Sequence, residues 1–131
     1  MADLKAVSEL LKGFDQIRVA WVFGSAAEDT LTKTSDLDVA VLGEEPLEAP
    51  LKKELISELG RAFGRPVDLV DLQARGGPIV GQVLHRGEML FCRDRHLYAE
   101  LMKRWMFDQA DWIPIRRRIL ETRRSKWLDP S

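Results

Sequence analysis

The chain carries a single cysteine, Cys92. One thiol can form no internal disulfide and supply no multi-cysteine metal centre, so packing must hold the fold together. No apolar run approaches the roughly 20 residues that a bilayer-spanning helix needs. The opening Met-Ala-Asp-Leu-Lys places an acid early and is followed by no long apolar stretch, so no secretory signal is expected. Internal repeats, low-complexity segments and any linker long enough to separate domains are also missing. The chain has 131 residues, 45% hydrophobic and 31% charged, which suits one globular domain with a core of its own. The expectation is a cytoplasmic, single-domain protein over residues 1–131.

The net charge of −1 conceals an asymmetry. Residues 93–126 contain ten Lys/Arg against five Asp/Glu, a surplus of +5, which leaves −6 for the rest of the chain. An acidic body over residues 1–92 is thus followed by a basic extension over 93–131. A basic tail on an acidic body suits a polyanion or an acidic protein, although a solvated helix face explains a charge run equally simply. The acidic body opposes a phosphate backbone, which disfavours a nucleic-acid partner.

Hydrophobic spacing sets out the elements. Leu4, Val7, Leu10, Leu11 and Phe14 recur at helical intervals up to Gly13. Ile17 to Phe23 is an unbroken β-rich run of the kind buried on both faces, ended by Gly24-Ser25. Leu37 to Leu42 forms a second strand, closed by Gly43. Leu51, Leu55, Ile56, Leu59 and Phe63 mark a helix stopped at Gly64, and Val67 to Leu72 a third strand after Pro66. A short helix is predicted over Pro78 to His85, then an edge strand over Met89 to Cys92. Leu97, Leu101 and Trp105 stripe a helix that Pro114 is expected to break, with Ile115, Ile119 and Leu120 on a second. Strands alternating with helices indicate the α/β class.

The chemistry concentrates in Val22-Phe23-Gly24-Ser25, ten intervening residues, and Asp36-Leu37-Asp38-Val39. Successive side chains on a strand point to opposite faces, so Asp36 and Asp38 share a face about 7 Å apart while Leu37 and Val39 turn to the core. Two carboxylates so placed repel each other unless a cation intervenes, and a hard, oxygen-seeking Mg²⁺ fits that need. Gly24 allows close backbone approach to a phosphate, and Ser25 can donate to phosphate oxygens if it opens a helix. Val67-Asp68-Leu69-Val70 sets a third acid in apolar surroundings, where an unpaired charge is costly. Should its strand lie beside Asp36-Asp38, all three carboxylates face one pocket. Each element has a plainer explanation: Gly-Ser as turn chemistry, Asp-Leu-Asp as an edge strand with a wet face, Asp71 in place of Asp68 as the acid that matters. The ordered set carries more weight than its members.

Phe23-Gly24-Ser25, Ser35-Asp36-Leu37-Asp38 and Asp68 resemble the signature of the DNA polymerase β-type nucleotidyltransferase superfamily. The size is similar to that of the minimal nucleotidyltransferases of prokaryotes. Leu84-His85-Arg86-Gly87-Glu88-Met89-Leu90-Phe91, with Asp94-Arg95, resembles the MNT-domain antitoxins encoded beside HEPN-domain ribonuclease toxins. The resemblance implies a polymerase β-like fold, a small mixed sheet flanked by helices with further helices at the C-terminus. It implies that Asp36, Asp38 and Asp68 hold two Mg²⁺ ions and carry catalysis. Gly24, Ser25 and Ser35 would bind the nucleotide, with ATP as co-substrate. It further implies transfer of AMP to a hydroxyl, a tyrosine in the antitoxin branch, of a cognate HEPN toxin that docks through the C-terminal helices. Many relatives place an arginine directly after Gly-Ser; this chain has Ala26-Ala27-Glu28-Asp29, and Lys33 is the candidate substitute.

Other features are read as structural. His85 and His96 fit no acid–base pattern, and Cys92 reads as a small core residue. Trp105, Trp112 and Trp127 accompany Met102, Met106 and Phe107 in the basic extension, a mixture common at interfaces. Two other functions compete: a module that neutralises a toxin by occlusion alone, and a small-molecule nucleotidyltransferase, which usually needs a further domain to hold its acceptor.

Overall fold

The computed structural model describes residues 4–24 and 36–120, with side chains described as far as residue 107. Helix α1 (Leu4–Lys12) leads into strand β1 (Val19–Phe23), followed by β2 (Leu37–Leu42) and helix α2 (Ala49–Phe63). Strand β3 (Val67–Asp71), helix α3 (Pro78–Arg86), strand β4 (Glu88–Cys92) and the long helix α4 (Arg95–Leu120) complete the described chain. The sheet runs β3-β2-β1-β4. β1 is antiparallel to both its neighbours, whereas β2 and β3 are parallel and joined through α2. This is the mixed sheet flanked by helices that the sequence led us to expect.

The two central strands are apolar but for Asp38, because both faces of the sheet are covered. On one side α1 and α2 bury Val7, Leu11, Leu55 and Leu59 against Val22, Val39, Val41 and Leu69. On the other, α3 and α4 bury Val80, Val83 and Leu101 against Trp21, Phe23, Ala40, Leu42 and Val70. Trp21 meets Tyr98 of α4 with ring centroids 6.2 Å apart, and Trp105 packs edge-on to His85 of α3 at 5.1 Å. Of the stripe predicted for α2, Leu55 and Leu59 are buried while Ile56 lies at the margin, 36% exposed.

One expectation is corrected. Helix α4 does not stop at Pro114 but runs unbroken to Leu120. An interior proline removes one backbone donor and strains one turn, yet starting a new helix costs a further nucleation, so continuation is the cheaper course when the flanking residues remain helical. Among the described residues, no helix is long and apolar enough to cross a membrane.

Candidate active site

The parallel pairing of β2 with β3 sets Leu37 beside Val67, Asp38 beside Asp68 and Val39 beside Leu69. The hydrogen bond from the Leu37 amide to the Pro66 carbonyl, 2.8 Å, fastens this register at its open end. On β1, Phe23 is the partner of Asp38. Residues directly opposite one another share a face, and Phe23 belongs to the face covered by α3 and α4. Asp36, Asp38 and Asp68 therefore occupy that same face, at the end of the sheet where β1 finishes and β2 and β3 begin. Neighbouring strands stand roughly 4.8 Å apart, which makes Asp38 and Asp68 immediate neighbours.

Solvent reaches the three unequally. Asp36 and Asp68 are exposed and Asp38 is half-buried. The apolar surroundings expected around Asp68 are thus corrected, because the residue lies one position into its strand, before the buried stretch Leu69-Val70 begins. Burial pushes the Asp38 carboxyl above its usual range, and the charges of Asp68 and then Asp36 push it the same way. Gly24, at the end of β1, has φ +67°, and a Cβ placed on it would collide with the Asp38 carboxylate. Ser25 and Ser35, with Lys33 and the stretch Ala26-Ala27-Glu28-Asp29, lie outside the described residues.

The donor set fits a divalent cation. Burial and mutual repulsion both disfavour the ionised form of Asp38, and a bound Mg²⁺ reverses both effects. Among the described residues, no three Asp, Glu, His or Cys side chains close around a point as a ready-made cage. An open set of carboxylates is what Mg²⁺ uses when substrate phosphates complete its shell.

Asp71 has a different role. Three residues beyond Asp68, it points to the opposite face and is only 2% exposed. Its carboxylate accepts hydrogen bonds from the Leu47 amide at 2.7 Å and the Gln73 amide at 2.9 Å. The Gln73 side-chain amide donates to the Gly43 carbonyl, and Arg104 of α4 donates to both the Gln73 side-chain oxygen and the Leu72 carbonyl. Apart from the local bond between Gln73 and Asp71, the pairs of this brace lie 24 to 32 residues apart, and no local pattern in the sequence announces them. A cavity of about 530 Å³ at the far end of the sheet, lined by Asp15, Arg18, Glu44, Glu48 and Leu51 among others, is remote from the carboxylates.

The chain is 31% identical over 97 residues to the protein adenylyltransferase MntA of Shewanella oneidensis, a span of 72% of this chain and 70% of that protein. Its fold matches the crystal structure of a toxin–antitoxin with AMP-PNP at a TM-score of 0.71 and 24% identity, covering 90% of this chain and 94% of that one. It also matches a structure of a tri-AMPylated Shewanella oneidensis HEPN toxin in complex with MNT antitoxin, at a TM-score of 0.66 and 20% identity over 92% of this chain and 98% of that one. The sequence profile "Polymerase beta, Nucleotidyltransferase" matches residues 5–96, from α1 to the start of α4 and across all three carboxylates, and the chain belongs to that family.

Proposed function

We propose that this chain is a Mg²⁺-dependent protein adenylyltransferase that moves AMP from ATP to a hydroxyl, of tyrosine type, on a cognate HEPN toxin and so acts as its antitoxin. The observation that carries the reading is the register that sets Asp38 against Asp68, with Asp36 on the same face. Similarity to a protein adenylyltransferase supports the choice of reaction, and the toxin–antitoxin complexes of similar fold support the choice of partner.

In this reading Asp36, Asp38 and Asp68 would hold Mg²⁺. Bound Mg²⁺ would lower the pKa of that hydroxyl and neutralise the pyrophosphate that leaves. The chain's own residues then have three tasks. Asp36 and Asp38, fixed on the rim of a rigid strand, set the line along which the α-phosphate meets the acceptor. Asp68, exposed and adjacent, would take the proton of the hydroxyl as the new phosphoester bond forms and the bond to pyrophosphate breaks. Gly24, with Ser25 and Ser35, would receive the nucleotide. The exposure of Asp36 and Asp68 suits an acceptor delivered by a second macromolecule.

Residues 1–92 would form the catalytic body and 93–131 the basic extension that meets the toxin. Met106 and Phe107 on α4 are 59% and 66% exposed, which supports this surface as the contact. Incubating the chain with ATP, Mg²⁺ and the product of the neighbouring gene, followed by intact-mass measurement, tests the proposal. Gains of whole AMP units on the neighbour, absent with Asp36→Ala/Asp38→Ala, are expected. A stable complex with no gain in mass would favour occlusion instead, the reading that Ala26-Ala27-Glu28-Asp29 in place of a basic residue favours.

A further inference from the structure

We infer that Gly24 is a positioning residue for Asp38, seating its carboxylate in the one orientation that serves the metal, an inference that rests on the metal reading above. Three described glycines have positive φ: Gly24 at +67°, Gly64 at +63° and Gly77 at +78°. At Gly64 and Gly77 a Cβ would meet nothing within 4 Å, so backbone conformation alone accounts for glycine there. At Gly24 a Cβ would fall on Oδ2 of Asp38, inside any tolerable contact, with Cγ at 3.3 Å and the Asp38 Cβ at 3.6 Å. The absent side chain is therefore the space that the carboxylate occupies.

The strand cannot yield to make room. Asp38 is held between Phe23 on β1 and Asp68 on β3, and the backbone on both sides is fixed by ladder hydrogen bonds. With a methyl at position 24 the Asp38 side chain must leave its place against β1. The neighbouring Asp68 repels it on the other side, so the displaced carboxylate is driven outward, away from the point at which both acids can reach one cation. Gly24 would act through Asp38 whether or not its backbone also approaches a phosphate.

Mn²⁺ in place of Mg²⁺, with no nucleotide present, isolates this role, because free and bound ion are distinguished by electron paramagnetic resonance. Gly24→Ala is expected to weaken Mn²⁺ binding by about tenfold or more, the range seen when an outer partner of a metal ligand is lost. Gly64→Ala imposes the same left-handed strain without the contact, and should bind Mn²⁺ within about two-fold of the parent chain. D-alanine in place of Gly24, installed by ligation, favours positive φ and turns its methyl away from Asp38. It should restore Mn²⁺ binding, and it decides the matter if Gly24→Ala does not fold. Unchanged Mn²⁺ affinity in Gly24→Ala, or an equal loss with D-alanine, would overturn the inference. A parent chain that binds no more Mn²⁺ than Asp38→Asn would overturn the metal reading itself, and this inference with it.

Discussion

Asp38 and Asp68 stand at the same register position of the parallel β2–β3 pair, side by side on the face that α3 and α4 cover. Parallel in-register acids are an unfavourable arrangement in the absence of a cation, since like charges directly opposite destabilise a sheet. The site is therefore built at some expense of stability, as functional sites commonly are.

The first prediction concerns that expense. The Asp38 carboxyl is raised above its ordinary value of 3.8 by burial and by Asp68 and Asp36. A raised pKa in the folded state means that folding binds the proton more tightly than the unfolded chain does. The stabilisation is present below the unfolded value and is lost as pH climbs through the folded one. At neutral pH the ionised Asp38 is thus a burden on the metal-free protein. Asp38→Asn should raise its melting temperature at pH 7 by roughly 1–4 °C while abolishing AMP transfer. Calorimetry at pH 7 and pH 3.5 checks it, with the gain confined to the higher pH.

Metal should reverse the same penalty. Mg²⁺ at millimolar concentration is expected to raise the melting temperature of the parent chain and to leave Asp38→Asn unmoved, because only a ligand that prefers the folded state stabilises it. As pH falls, protons compete for Asp38 earlier than for an ordinary carboxylate, so Mg²⁺ affinity should decline before ordinary carboxylates begin to protonate. Calorimetric titration between pH 5 and 8 would show both trends; equal Mg²⁺ stabilisation of parent and Asp38→Asn would count against them.

Strand and helix types were legible because their signals are local. Ile17 to Phe23 and Leu37 to Leu42 read as strands buried on both faces, and both lie between helices. The proximity of Asp68 to Asp38 was legible only as a condition, because register between strands 30 residues apart is a tertiary property. The fate of Asp71 was not legible: an acid in an apolar run looks the same whether it faces a metal or accepts the Leu47 amide from across the fold and the Gln73 amide beside it. Nor was the continuation of α4 past Pro114, where a single strong local rule is outweighed by the cost of a second nucleation.

Asp71 and Asp68 differ by three positions and should separate cleanly on mutation. Asp71→Ala strips two part-buried amides of their acceptor and loosens Gln73, and with it the tie from Arg104. A loss of about 1–3 kcal/mol in urea unfolding is expected, with transfer per folded molecule changed less than about two-fold. Asp68→Ala, at an exposed position, should cost under about 0.5 kcal/mol yet reduce transfer by about a hundredfold or more. The opposite pattern would exchange their roles.

The surface of α4 supplies the last test. Leu101 and Trp105 pack inward, and Gly81 lies so near Trp105 that a Cβ there would come within 3.1 Å of the indole nitrogen. Met106 and Phe107, next along the helix, face solvent. Gly81→Val should therefore destabilise the domain by about 1–3 kcal/mol through overpacking. Met106→Ser/Phe107→Ser should leave stability within about 0.5 kcal/mol, since neither side chain belongs to the core. If α4 is the arm that grips the toxin, the same double variant should weaken the complex by at least about tenfold in a pull-down titration or by calorimetry. Retention of full affinity would move the contact to another face while leaving the carboxylate site untouched. Stability and binding are read on one variant, so a lost complex cannot be confused with a lost fold.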